Sequence, residues 1–317
     1  MDGGLWKEWA IYMAKVFAVS AIALLLIFLS AALIGVRDIC CGPFSDTGGI
    51  KVAASFFPVY DIAKNIAGER IDVVRILPAG ASPHTFEVTP DKAKEMNGAK
   101  AVFKIGGVDD WIDAISDSVG AEKIVLRRGI DIRDYSVTSI GEGEEEGGEG
   151  DPHYWTTMKN AKVMASTIAA ELSRLDPEGV GYFNDNLASF VERADAAEEE
   201  IRTILAPHSG KNIIAFHNAW SYLVDEYGLV IAASFEPAPG KEPSSSHLKA
   251  LFDLVREKDI KVIFSEPSFS DASIRSFVSD LGLELYVLYP ESGSSPDASY
   301  IDTMVENAKI IDRALSK

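Results

Sequence analysis

Between Asp176-Pro177 and Pro207 the chain runs from Glu178 to Leu205 with helical periodicity and no interior proline. As one helix these residues would extend about 42 Å, longer than most helices that cover a single sheet. Such a helix is long enough to connect two bodies, and the flanking sequence supplies them. Before it, β-like runs (Lys51 to Phe56, Asp72 to Leu77, Ala101 to Ile105, Ile124 to Leu126) alternate with helical ones. Val59 to Ala67, a segment opened by Thr89-Pro90, Trp111 to Val119 and Thr157 to Leu175 read as helices, Thr89 as a cap and Pro90 in the first turn. After it comes a second series: strands at Asn212 to Phe216, Leu229 to Ala232, Lys261 to Phe264 and Glu284 to Leu288, helices at Leu248 to Glu257, Ala272 to Leu281 and Tyr300 to Ser316. Alternation of this kind predicts mainly parallel sheets with helices on both faces. The expected fold is therefore α/β, with two lobes, residues 50–176 and 207–317, joined by a helix over 177–206.

The first 49 residues stand apart. Val16 to Val36, VFAVSAIALLLIFLSAALIGV, carries no charge and as a helix would span about 31 Å, one hydrocarbon core. Lys7 and Lys15 precede it, which places the N-terminus in the cytoplasm and the body outside. An uncleaved membrane anchor is the expectation. A cleaved signal peptide has a shorter apolar core and an A-x-A-like site. A lipoprotein wants small residues before its cysteine, whereas Asp38 and Ile39 precede Cys40. Residues 42–50, GPFSDTGGI, read as a tether. Cys40 and Cys41 are the two cysteines of the chain, so there is neither a disulfide framework nor a CxxC zinc motif in the body. A net charge of −18 argues against nucleic-acid binding, which requires clustered Lys and Arg. It fits a soluble body or one that attracts cations.

Five histidines occur in 317 residues. His84 follows the strand ending at Leu77, and His217 follows the strand ending at Phe216. Glu266 lies just past Val262-Ile263-Phe264. Ligands of open α/β sheets bind outside the carboxyl ends of strands. His153 ends an acidic, glycine-rich stretch, GEGEEEGGEGDPHYW. These four are far apart along the chain, which excludes a local zinc finger or an HExxH helix. They could meet only in a cleft between lobes. Three neutral imidazoles and a carboxylate suit Zn²⁺, although any one histidine after a strand is more often a satisfied structural residue than a ligand.

The flanking sequence adds to this. KVAASFFPVYDIAKNIAG, LPAGASPHTFEVTP, DPHYW, AFHNAWSYLVDEYGL, EPSSSHL and FSEPSFS occur in that order. Together they resemble the solute-binding proteins of metal-ion (zinc/manganese) ABC transporters, a two-lobed family with a rigid linking helix; the resemblance covers residues 50–317. It implies that His84, His153 and His217 are metal ligands. It also implies a monomeric extracytoplasmic receptor, not an enzyme, that hands a divalent ion to a membrane permease. Manganese-preferring members commonly carry Glu at the third position, so His217 favours Zn²⁺ over Mn²⁺. The chain departs from the family pattern where a Leu-Asp-Pro is common: here stand Leu288-Tyr289-Pro290-Glu291. A tyrosine is a poor ligand at its ordinary pKa. The fourth position falls to Glu266, to Glu291, to Tyr289 or to water, with Glu266 preferred because it ends a strand in the same lobe as His217. DPHYW also continues as Thr156-Thr157 where the family has Leu-Asp.

The remaining histidines read as structural, His208 in a solvated loop and His247 at a capped helix start. Trp155 and Phe216 read as lobe packing rather than recognition of an organic ligand, and the carboxylate run as a solvated loop that at most collects cations weakly. Two rival functions remain at this level: an exported zinc hydrolase, with Glu266 as general base on a three-His site, and a surface adhesin holding a structural zinc.

Overall fold

The computed structural model describes residues 49–134, 150–268 and 271–317. The apolar run Val16 to Val36, both cysteines and the acidic run 141–149 lie outside the described residues. Among the described residues no helix is long and apolar enough to cross a membrane.

The first lobe is a parallel sheet of β1 (Lys51–Ala54), β2 (Asp72–Arg75), β3 (Ala99–Lys104) and β4 (Glu122–Val125), in the order β2-β1-β3-β4. In register, Val52 pairs with Val73 on one side and Ala101 on the other. Because both faces of the sheet are covered, the middles of the central strands, Val52–Ala54 and Ala101–Phe103, are apolar without alternation. The alternation survives in where the side chains go. Val52, Ala54, Ala101 and Phe103 enter the main core, while Ala53 and Val102 enter a smaller cluster with Ile76, Met96 and Ile112.

Helix α1 (Phe57–Ala67) buries Val59, Ile62, Ala63 and Ile66, one face of a 3.6-residue repeat. Gly68 ends it at a φ of 54°, and a Cβ there would stand 2.1 Å from the Tyr182 hydroxyl, so only glycine lets the turn approach the linking helix this closely. Helix α2 (Pro90–Glu95) starts as expected, with the Thr89 hydroxyl accepting from the Lys92 amide. The helix expected over Trp111 to Val119 divides into a 3₁₀ turn, Asp110–Ile112, and α3 (Asp113–Val119). Helix α4 (Met158–Leu175) is capped by Thr157.

The linking helix α5 spans Val180–Leu205, preceded by the 3₁₀ turn Pro177–Gly179. Its buried stripe of Phe183, Phe190, Ala194, Ala197, Ile201 and Leu205 packs against α4 and the C-terminal helix α9 (Tyr300–Leu315). The second lobe repeats the first: β5 (Asn212–Ala215), β6 (Val230–Ser234), β7 (Val262–Ser265) and β8 (Glu284–Val287) form a parallel sheet in the order β6-β5-β7-β8. Ile213, Ala215, Val262 and Phe264 join the main core, and Ile214 and Ile263 point to an outer cluster with Phe216, Phe235 and Phe277. Helices α7 (Ser245–Glu257) and α8 (Asp271–Leu281) complete it.

Two local readings are corrected. A seven-residue helix, α6 (Ser221–Tyr227), occupies sequence read only as a strand-following motif, and it ends on Gly228 in the left-handed conformation. His208 is not solvated: it sits in a 3₁₀ turn, Ala206–His208, is 3% exposed, and its Nε2 lies 2.7 Å from Asp312 Oδ1 on α9. The contact ties the end of α5 to α9. His247 starts α7 as expected, its amide donating to the Ser244 hydroxyl and its Nε2 lying 3.0 Å from the Ser234 carbonyl.

Candidate metal centre

Each sheet delivers its loops to the same place. His84 lies in the turn after β2, where the Trp111 indole N–H donates to the Pro83 carbonyl at 3.0 Å and the Ser82 hydroxyl accepts the His84 amide at 3.3 Å. Trp111 in turn meets Phe86 edge-on at 4.8 Å. These contacts hold the turn on both sides of the imidazole, whose side chain is 3% exposed.

His153 is fully buried just before the 3₁₀ turn Tyr154–Thr156. Asp151 Oδ1 accepts both the His153 amide, at 2.9 Å, and the ring Nδ1–H, at 2.8 Å. With the proton held at Nδ1, Nε2 is the ring atom that presents a lone pair, and it faces His84. Asp151 is itself held from the second lobe: Ser221 Oγ donates to its Oδ2, and the Tyr222 hydroxyl donates to its carbonyl at 2.9 Å. Burial alone would push the Asp151 carboxyl up, but the His153 and Ser221 hydrogen bonds hold it below the usual range. The Tyr222 phenol goes the other way, pushed up to about 12 by burial. It keeps its proton to donate. Tyr222 also accepts the Arg133 amide at 3.1 Å, and the Asp151 amide donates to the Arg133 carbonyl at 2.8 Å.

His217 is fully buried two residues beyond β5. The His84 and His153 Nε2 atoms are 3.2 Å apart, and the His217 ring centroid lies 5.1 Å from that of His84 and 5.3 Å from that of His153. One nitrogen from each ring falls within 4.8 Å of the other two. Glu266, next after β7, and Glu291, past β8, complete a second triad with His217. Glu266 Oε1 is 2.9 Å from His217 Nδ1, and Glu291 Oε1 is 3.4 Å from His84 Nε2. All four residues read from the sequence, and Glu291, therefore come together. Tyr289 takes another role: its ring packs on the main core and lines a groove with Ala197 and Ile301, while its amide and carbonyl both bond the Asn307 side chain, at 2.9 and 3.0 Å.

The charge balance is the informative part. Glu266 is 2% and Glu291 5% exposed, and the polar groups nearest their buried oxygens are ring nitrogens, His217 Nδ1 at Glu266 Oε1 and His84 Nε2 at Glu291 Oε1, with the Trp220 indole also bonding Glu266. Burial, then the neighbouring Glu291 charge, raises the Glu266 carboxyl well above its ordinary range. Buried ionised carboxylates cost several kcal/mol each, roughly, and a cation among them offsets that cost. Glu236, on the turn after β6, is a third acidic group in this region, pushed up to about 7 chiefly by burial although Gly240 N–H donates to it at 2.8 Å. A cavity of ≈ 520 Å³ lined by His84, Asp151, Lys104 and Asp110 adjoins the cluster.

Asp151 and Glu236 were missed in the sequence. An acidic residue two positions before a candidate ligand histidine is the usable signal for Asp151; Glu236 has none, since its burial depends on tertiary packing.

Comparison with known proteins places this arrangement. A family model described as zinc-uptake complex component A, periplasmic, matches residues 52–314. The manganese ABC transporter substrate-binding lipoprotein PsaA of Streptococcus mitis is 28% identical over 323 residues, covering 96% of this chain and all of the relative. The manganese-binding lipoprotein MntA of Halalkalibacterium halodurans is 26% identical, with 93% of this chain and 97% of MntA covered. Among solved structures, ZnuA superposes with a TM-score of 0.74 at 27% identity, over 84% of this chain and 99% of that one. FpvC from Pseudomonas aeruginosa, in complex with Mn²⁺, gives 0.74 at 28%, over 84% and 98%.

Proposed function

This chain belongs to the zinc-uptake component A family of metal-binding ABC-transporter substrate-binding proteins, which are receptors and not enzymes, and from that membership we propose that its cargo is Zn²⁺, held by His84, His153, His217 and Glu266. Glu266 carries the reading: its carboxyl is buried in contact with His217, in a cluster that also holds His84, His153 and Glu291. Burial favours the neutral acid, and a cation among these groups would hold it ionised. Three nitrogens and one carboxylate oxygen are a donor set that suits zinc, at about 2.0–2.2 Å. Ligand exchange with a permease is then the whole of the chemistry. The body is held outside the cytoplasmic membrane, by the segment Val16 to Val36 in this reading.

Relatives named for manganese make the cargo the point to test. Protein purified with its metal from the cells that make it is expected to carry one zinc per chain by elemental analysis. Stoichiometric manganese there would overturn the zinc reading, and near-native zinc affinity in the triple His84→Ala, His153→Ala, His217→Ala variant would overturn the site.

A further inference from the structure

Glu266 and His217 come from one lobe and already touch. Glu291 is held differently. Its carboxylate reaches His84 of the first lobe, and Ser268 Oγ stands at 3.4 Å from Oε2. What fixes Glu291 is its backbone. The carbonyl of Pro290, immediately before it, accepts the Trp155 indole N–H at 2.7 Å, and Trp155 is a first-lobe residue two positions past His153. On the other side Asn307 of α9 clamps Tyr289 through both amide and carbonyl. Trp155 is completely buried, packed edge-on to Phe56 at 4.9 Å, and its own carbonyl accepts the Tyr300 hydroxyl. The Tyr300 amide donates back to Asp61 on α1 at 3.0 Å. A rigid indole thus spans the two lobes and ends on the peptide that carries Glu291.

We propose that Trp155 is a positioning residue that delivers Glu291 to the ion as a further ligand, so that retention of the ion depends on the two lobes being together. This rests on the metal-site reading above. When the lobes separate, the indole N–H leaves Pro290 and Glu291 withdraws from His84, while Glu266 stays with His217. Glu291 is the ligand that goes first, and Trp155 sets when.

The test is zinc release from the full chain, followed by stopped flow against excess chelator. Trp155→Phe keeps the ring against Phe56 and deletes only the N–H. It is expected to speed release about tenfold, the loss of one buried hydrogen bond, with little change in the rate of capture. In a Glu291→Gln background the same substitution is expected to change release less than twofold, because its target is already gone. Asn307→Ala, which frees Tyr289 and leaves Trp155 intact, is expected to behave likewise and serves if the Trp155 variant does not fold. Equal acceleration in both backgrounds would make Trp155 merely structural and overturn the proposal. So would unaltered release in Trp155→Phe, or wild-type release in Glu291→Gln; each of these leaves the histidine site standing, which the triple-histidine variant tests separately.

Discussion

Each lobe builds its sheet in the same order, the first strand lying between the second and third and the fourth at an edge, yet the loops at the two sets of strand ends carry different chemistry. In the first lobe the turn after β2 gives His84 and the chain beyond β4 gives His153. In the second, the turn after β5 gives His217, but β7 and β8 lead to Glu266 and Glu291, and β6 to Glu236. The first lobe presents imidazoles, His153 held by Asp151; the second adds three buried acidic side chains, Glu236, Glu266 and Glu291, to its one imidazole. Topology determines where a site can form, and each loop separately determines what it contains. The two sets meet where Glu291 reaches His84, while Glu266 stays on His217.

This contrast can be broken from either side. Removing the first lobe's donors has the largest effect: His84→Ala with His153→Ala is expected to lower zinc affinity roughly a thousandfold or more, as neutral ligands supply most of the bonds, measured by competition with a chromophoric chelator. Asp151→Asn, which leaves all ligands in place but loses the charge that orients His153, is expected to cost about 10–100-fold in the same assay. On the second lobe the sign divides. Glu266→Gln is expected to weaken zinc binding about 10–100-fold while raising the melting temperature of the metal-free protein, because a buried acid that is costly to ionise disappears. A lower melting temperature for that variant would mean the carboxylate is already compensated. Smaller still is a packing test at the start of the linking helix. A Cβ on Gly179 would stand 2.5 Å from Arg70 Nε and 2.7 Å from Asp176 Oδ2, the buried ion pair that anchors this end. Gly179→Ala is expected to cost about 1–3 kcal/mol in denaturant unfolding with ion affinity unchanged.

The smallest effect lies at the other end of that helix. The hydrogen bond from His208 holds the Asp312 carboxyl below its usual range, so this pair stabilises the fold above the unfolded carboxylate pKa and is lost as pH falls through the depressed folded value. Asp312 is 43% exposed, so water screens most of the interaction. Asp312→Asn is expected to lower stability by about 0.5 kcal/mol at pH 6, with the gap closing below about pH 4.

How much of this is legible in the sequence follows from range. The linking helix, the capped start at Thr89 and the β/α rhythm depend on residues a few positions apart, and they stand where periodicity puts them, within two or three residues. The histidines were legible through their positions after strands and their flanking motifs. Helix α6 was not: seven residues opening directly from a strand-end turn give too little periodicity to distinguish, and Gly228 is its one local mark. His208 looked exposed because Pro207 and Gly210 flank it; its burial depends on α9, whose Asp312 lies 104 residues on. Glu291 was one of several candidates for the same reason. Its position is set by Trp155, from the opposite lobe and 135 residues before Pro290.

One small contact has a bearing on how such a receptor can diversify. The Arg133 carbonyl and Asp151 amide meet at 2.8 Å, and a single phenol, Tyr222, bridges the same two residues. Residues 133 and 151 are thus brought together by bonds that do not involve the residues between them. Doubling the length of a segment closed in this way costs only about 0.6 kcal/mol. A change in the length or composition of the sequence between them is therefore expected to leave His153, two residues beyond Asp151, where it is, and the same position suits a reporter or an affinity tag.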